Sequence, residues 1–329
     1  MNLKPLPVLL LALALGACAP AQGTPTPQLP FITATPTLFI GSPLPTLATP
    51  AAGETSTPAA TLPPGLTPFP TFTPLSQPAQ PTPSGSSTTY AVILVSEDDV
   101  LNIRSGPGVN NAVVGKLEPA ASGLTRTGKT TPVGDGLWVE IQNPGGGTGW
   151  VNSNFLTEQV ASSAFCSDAR VMTLIQNLDS AVTGNNDDML AALLHTRHGL
   201  DARLWRYGTV ANYTQEEASW AFESEYEVNW GPAPGSGENT IGTFSEALLP
   251  KLQEVFNANY TTHCNDTLDL ATFSVEPWPL EYENINFYTV YKPGTEQYGG
   301  LDWRAWTVGV EYIEGKPYLF SLIHYQWEP

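Results

Sequence analysis

The sequence has little positive charge. Only 13 Lys and Arg residues stand against 31 Asp and Glu residues, and the formal net charge is −18. The deficit is marked in residues 160–329, which hold 23 acidic and 8 basic side chains. Nucleic acids and anionic headgroups are bound through Lys and Arg. The composition therefore excludes DNA, RNA and direct docking on an anionic lipid surface as functions of the folded part.

The amino-terminal segment lacks a hydrophobic run long enough to span a membrane. Its apolar run, residues 5–15, follows Lys4 and is about 11 residues long, whereas a spanning helix needs about 20. A short apolar run that follows a base and precedes small residues is typical of a secretory signal peptide. We therefore expect residues 1–17 to be a cleaved signal peptide and the protein to be exported.

Residues 15–18, Leu-Gly-Ala-Cys, resemble a bacterial lipobox. The resemblance implies that Cys18 is diacylated and becomes the first residue of a lipoprotein anchored to the cell membrane on its extracytoplasmic side. Two acyl chains hold a protein on a bilayer stably, whereas one chain binds reversibly. The alternative is a plain signal peptide followed by a coincidental cysteine.

The next segment has almost no charge. Residues 19–89 hold 17 Pro and 16 Thr, with one acidic residue and no basic one. Proline removes a backbone donor and disfavours helix in the residue before it, and the segment has too little apolar surface to offset the entropy of folding. We expect residues 18–89 to be a disordered Pro/Thr-rich linker that holds the folded part away from the membrane.

Residues 90–158 contain short β-rich segments between Gly- and Pro-rich turns, which indicates a small all-β domain. Four segments resemble a bacterial SH3 (SH3b) domain in order and spacing: LNIRSGPG at 101–108, VVGKL at 113–117, GLWVEI at 136–141 and TGWVN at 148–152. The resemblance covers nearly all of residues 90–158 and implies an SH3-like β-barrel. It also implies binding of cell-wall peptide, peptidoglycan or an envelope protein. A long loop at 127–136 departs from the family pattern.

Four side chains of this domain are candidate ligand contacts: Trp138, Trp150, Asn102 and Arg104. Large aromatic side chains supply contact area at little entropic cost. The alternative for both tryptophans is a place in the barrel core, which we favour for Trp150. The interpretation that we favour for Arg104 is that it braces the turn that follows it.

The sequence has only three cysteines. Lipidation of Cys18 leaves Cys166 and Cys264, and the exported compartment is oxidising, so we predict a disulfide between them. His263 adjoins Cys264, but no second pair of ligands with zinc spacing accompanies them. We therefore predict no metal site and no cofactor.

Residues 159–329 begin with helix patterns and end with strand patterns. We expect an α+β domain of unknown function, with helices on one face of an antiparallel sheet. A two-residue loop at Glu314-Gly315 would place Val310 opposite Leu319 and Trp306 opposite Ile323. Residues 174–194 weakly resemble the opening of NTF2-like cone folds. The inward face of the first long helix is predicted to hold Val171, Leu174, Ile175, Leu178 and Val182.

Two capping patterns predict where shorter helices begin. Thr214 and Thr243 each stand three residues before a glutamate, which is the capping-box spacing. The first of these helices is expected to run through Trp220 and Phe222.

Two polar clusters in this part are weighed as sites. His195, His198 and Asp201 suit a metal or acid–base cluster, but capping of a helix carboxyl end is the favoured interpretation. Glu223, Glu225 and Glu227 alternate as calcium ligands on a strand would, but a solvated face is favoured.

No nucleophile elbow, phosphate loop or metalloprotease helix occurs in the sequence. We therefore predict no catalytic residues and expect a non-catalytic envelope lipoprotein. The alternative is an envelope enzyme or small-ligand receptor with its site in residues 159–329.

Overall fold

The computed structural model describes residues 88–268 and 278–328. They belong to one compact unit, Gln77–Pro329. The predicted signal peptide, Cys18 and nearly all of the predicted linker lie outside the described residues. Within the described ranges, no helix combines the length and the apolar character that a membrane crossing requires.

The first part of the described chain is all β. Strands β2 to β6 form one sheet in the order β3-β2-β6-β5-β4, and β1 pairs with β7. Alternation along β2 and β6 places Ile103 and Val151 in a small apolar core. The strands are β1 (Tyr90–Val92), β2 (Leu101–Arg104), β3 (Val113–Leu117), β4 (Arg126–Val133), β5 (Gly136–Gln142), β6 (Thr148–Asn152) and β7 (Leu156–Glu158).

The long loop predicted at 127–136 is wrong, because most of it is strand β4. The strand ends in a two-residue turn, where Val133 pairs with Gly136 and Gly134 has a φ of 58°. β4 lies at the sheet edge and most of its side chains are exposed, so it lacks the apolar alternation by which a strand is recognised.

The second part is α+β, with a six-stranded sheet in the order β12-β13-β14-β15-β8-β9 and a separate hairpin of β10 and β11. The predicted antiparallel sheet needs one correction, because β15 and β8 pair in parallel. The helices are α1 (Ser162–Ser167), α2 (Ala169–Thr183), α3 (Asp187–Ala191), α4 (Gln215–Ala218) and α5 (Leu249–Phe256). The strands are β8 (Leu200–Arg203), β9 (Ala211–Tyr213), β10 (Val228–Pro232), β11 (Asn239–Gly242), β12 (Thr261–Cys264), β13 (Asn286–Lys292), β14 (Arg304–Ile313) and β15 (Lys316–Gln326).

Helix α2 confirms the predicted apolar face, since all five of its inward residues are buried. Both capping boxes are also present, at Thr214 with Glu217 and at Thr243 with Glu246. The extension of α4 through Trp220 and Phe222 is wrong. After Ala218 the chain continues in tight turns with hydrogen bonds between residues three apart. The resemblance to NTF2-like folds stays a prediction.

The β14–β15 hairpin has the predicted two-residue turn and the predicted pairing of Val310 with Leu319. Trp306, however, pairs with His324 rather than Ile323. A bulge leaves Phe320 without a partner between two paired residues and shifts the register by one. Phe320 is buried in a different cluster from its neighbour Leu319, so the extra residue fills the opposite face of the sheet.

The predicted disulfide between Cys166 and Cys264 is present. It joins α1 to the edge strand β12 across 98 residues of sequence.

The two parts share an apolar cluster. Ile93, which follows β1, is fully buried among Tyr282, Ile285 and Phe320 of the second part. The backbone N–H of Leu94 donates to the carbonyl of Glu281 at 2.8 Å. Apolar surface from both parts is therefore removed from water only while they remain together.

His324 of β15 gives stability a pH dependence. It is buried beside Trp306, and Nδ1 donates to the carbonyl of Leu204 at 3.2 Å. Burial lowers the pKa of His324 to about 3. Below a pH of about 6.5, His324 therefore binds a proton in the unfolded chain but not in the folded chain. The folded chain is consequently less stable at lower pH.

We expect this residue to cost about 2 kcal/mol of unfolding free energy between pH 7 and pH 5. Urea unfolding of the wild type and of His324→Phe at both values measures it. The wild type should lose more stability than the variant by that amount. Equal losses in the two proteins would show that His324 does not carry the effect.

Candidate functional site

A groove of about 250 Å³ lies on the β part, where the outward face of β2 meets the chain on either side of it. We call it the SH3 groove. It combines apolar and aromatic side chains with amides and one charge of each sign. Its lining residues are Leu94, Val95, Ser96, Asp99, Val100, Leu101, Asn102, Arg104, Val109, Trp138, Asn152 and Phe155.

Trp138 supplies an aromatic wall of the groove. It lies on β5, and only 6% of its surface is exposed. Its cross-strand partner is Asn152 of β6, and the two residues line the groove together. Asn152 also accepts the N–H of Asn154, which starts the short helical turn that carries Phe155 into the lining. The ring is thus held by the sheet and presents a narrow apolar strip.

Asn102 and Arg104 line the groove from β2. Their neighbours Leu101 and Ile103 are buried, so alternation turns both polar side chains outward. Nη1 of Arg104 donates to the carbonyl of Asn111 at 2.9 Å. This bond ties the loop after β2, which carries the 68% exposed Val109 at the groove rim, to the sheet.

Trp150 is the one candidate outside the groove, and it is also not among the residues of the small apolar core, where we favoured placing it. It is half-buried on β6, where it pairs with Arg104 on one side and Glu140 on the other. The buried Glu140 carboxylate accepts hydrogen bonds from Thr127, Lys129 and Thr148. These bonds, that of Thr127 foremost, lower the pKa of Glu140. The carboxylate therefore stays ionised and joins β4, β5 and β6 on this side of the sheet.

Sequence reasoning missed Asp99, Val109, Asn152 and Phe155. Asp99 follows a turn and places an exposed carboxylate at the groove, within the same lining as Arg104. Asn152 ends the TGWVN motif and Phe155 follows three residues later, so the motif marked this segment but not the contact of either side chain with the groove. Asp99 and Val109 lie in loops, where no periodicity marks a side chain's direction.

The histidine cluster is not a helix cap and holds no metal ligand set. Helix α3 ends at Ala191, and residues 195–198 form a turn. Asp201 accepts a hydrogen bond from the hydroxyl of Tyr282 at 2.7 Å, whereas the His198 side chain pairs with Glu311. No group of three metal-ligating side chains occurs among the described residues. The topology therefore sends the side chains of this segment to separate partners.

The glutamates at 223, 225 and 227 do not alternate on a strand. They lie in the irregular segment between α4 and β10 and are exposed. Of the three, only Glu227 lines a groove.

Residues 99–157 match the family model of the bacterial SH3 domain. The match runs from β2 into β7 and includes nine of the twelve residues that line the SH3 groove; Leu94, Val95 and Ser96 precede it. No curated protein and no solved structure matches the chain.

Proposed function

We propose that this chain is a non-catalytic lipoprotein of the cell envelope, whose bacterial SH3 domain binds a cell-wall peptide in the SH3 groove. Domains of this family often bind peptidoglycan, and the match covers nine of the twelve residues that line the groove. The observation that carries the proposal is the composition of that groove. It holds an aromatic wall, two amides and both signs of charge in one lining.

A short peptide suits this lining better than an ion or a lipid does. Asn102 and Asn152 each offer a donor and an acceptor, which is what a peptide backbone requires. Asp99 and Arg104 suit the free amines and carboxylates that cell-wall peptides carry. Trp138 and Phe155 supply the apolar contact that most small-ligand sites use for affinity.

Attachment to the membrane is the second element of the proposal. After cleavage of residues 1–17, a diacylated Cys18 would anchor the chain to the membrane. The Pro/Thr-rich segment would set the distance between the membrane and the SH3 domain. Polyproline-like chain extends about 3.1 Å per residue, so residues 18–89 would span up to roughly 200 Å. The SH3 domain would then reach wall material at a distance from the bilayer.

Sedimentation of the chain with purified peptidoglycan tests the proposal. The experiment uses the full chain, because Ile93 packs against the α+β part and would be exposed in an isolated SH3 domain. The substitution Cys18→Ser removes the site of lipid attachment. We expect the protein to pellet with peptidoglycan and a soluble stem peptide to release it. A chain that stays in the supernatant, or that pellets equally with an unrelated insoluble polysaccharide, would contradict the proposal.

Val109→Asp should weaken this binding about tenfold, or about 1.4 kcal/mol. Val109 is exposed at the rim, so the substitution changes the groove and not the core. The matched control is Val113→Asp, because Val113 is 46% exposed on β3 and does not line the groove. Equal loss in both variants would place the binding surface elsewhere.

A further inference from the structure

A second groove, of about 540 Å³, lies in the α+β part between β9, α4 and the chain that leads into β10. We call it the aromatic groove. The sequence patterns that include Glu217 and Glu227 did not predict this groove, and the proposed function does not use it. Its lining residues are Thr209, Val210, Ala211, Asn212, Tyr213, Glu217, Trp220, Ser224, Tyr226, Glu227, Val228 and Asn229.

Large aromatic side chains stand exposed in this groove. Trp220 is 46% exposed and Tyr226 is 73% exposed. The tight turns after α4 pack the half-buried Phe222 against Phe244 and leave Trp220 outside the core. The N–H of Tyr226 donates to Ser224 Oγ at 3.1 Å, which fixes the backbone under the exposed ring. Exposed aromatic surface collected in one concavity indicates a binding site.

Tyr213 completes the aromatic surface from β9. Its ring packs edge-on against Phe244 with the centroids 5.3 Å apart. Burial raises the pKa of Tyr213, and the negative charge of Glu217 raises it further. Its hydroxyl therefore stays protonated and lies in the field of a carboxylate.

The charge of the lining has one sign. Glu217 and Glu227 are its carboxylates, and no Lys, Arg or His is among the lining residues. Glu217 is held in place because its Oε2 accepts from Thr214 in the capping box of α4. Glu227 is exposed at the groove and takes no part in this capping box. An anionic ligand would be repelled, whereas a cation would neutralise the pair.

From this combination we propose that the aromatic groove binds an organic ammonium group, carried by a small quaternary ammonium compound or by a lysine side chain. Aromatic faces attract organic cations through the ring quadrupole, and nearby carboxylates add direct attraction. A neutral ligand would gain only the apolar contact. The charge of the ligand therefore distinguishes this proposal from a general apolar pocket.

Titration of the full chain with two probes, choline and Nα-acetyl-lysine methylamide, tests the proposal. Each is paired with a neutral counterpart of similar shape, 3,3-dimethylbutan-1-ol and Nα-acetyl-norleucine methylamide. Tryptophan fluorescence and calorimetry report binding. We expect at least one cation to bind tenfold or more tightly than its counterpart, and the better probe identifies the source of the ammonium group. If neither cation exceeds its neutral counterpart, the proposal is wrong.

Variants then locate the site. Trp220→Ala and Tyr226→Ala should each weaken binding of the preferred cation about tenfold, and Glu227→Gln about fivefold. All three side chains are exposed, and circular dichroism checks that each variant is folded. The control is Glu225→Gln, because Glu225 is exposed in the same segment but does not line the groove. Loss in Glu225→Gln equal to that in Glu227→Gln would reduce the effect to general surface charge and overturn the proposal.

Discussion

Replacement of His198 by alanine is expected to lower the free energy of unfolding by about 3–5 kcal/mol, as removal of one partner from a buried pair of ionisable side chains does. The side chains of His198 and Glu311 are both buried, and Nδ1 of the imidazole pairs with Oε2 of the carboxylate. Nε2 donates to the carbonyl of Asn154 at 3.1 Å. One side chain thus bonds a residue of the α+β part and a residue of the SH3 domain.

The size of this effect comes from the carboxylate that the substitution leaves behind. Glu311 Oε1 is buried and has no hydrogen-bond partner among the described residues, so His198 supplies the polar contact that the structure shows for this group. Without the imidazole, the Glu311 carboxyl is buried and has no hydrogen-bond partner among the described residues, which costs stability. The substitution also removes the hydrogen bond to Asn154, the residue before Phe155 of the SH3 groove.

Urea unfolding measures this prediction, with two comparisons. His195→Ala changes a half-buried histidine in the same turn, whose Nδ1 accepts one backbone N–H, and should cost about 1 kcal/mol. The double variant His198→Leu with Glu311→Leu removes both polar groups and should recover more than half of the loss. Equal effects of His195→Ala and His198→Ala would contradict the account.

Removal of the disulfide, by Cys166→Ser with Cys264→Ser, should destabilise the chain by about 4–5 kcal/mol. The bond closes a loop across 98 residues, so the unfolded chain gains much entropy when it is lost. It also ties the short helix α1 to β12 at the edge of the six-stranded sheet.

Unfolding of the double variant, compared with wild type under oxidising and reducing conditions, checks this value. Reduced wild type should match the double variant, since both lack the bond. If the wild type were equally stable with and without reductant, the disulfide would not contribute the expected stability. The single variant Cys166→Ser is a poor substitute because it leaves a reactive thiol at position 264.

Local signals were sufficient for many of the elements. Helix α2 was predictable because its apolar residues recur at helical spacing, and the capping boxes were predictable from residues three apart. The disulfide followed from a count of cysteines. Of the four candidate contacts taken from the motifs of the bacterial SH3 domain, Trp138, Asn102 and Arg104 line the groove and Trp150 does not.

Features that depend on distant partners were not predictable in this way. His198 and Glu311 are 113 residues apart, and no local sequence pattern around either residue predicts that they pair. The bulge at Phe320 depends on which cluster lies behind the sheet. The helix α4 was expected to continue through Trp220, whereas tight turns follow Ala218 and leave Trp220 exposed. In each case the tertiary environment decided between local conformations of similar propensity.

Amide hydrogen exchange of the full Cys18→Ser chain, with and without a soluble cell-wall stem peptide, tests the central claim most directly. The account predicts slower exchange in two stretches that line the SH3 groove, residues 94–104 and 152–155, with the β10–β11 hairpin unchanged. Protection confined to other segments, or none at saturating peptide, would contradict it.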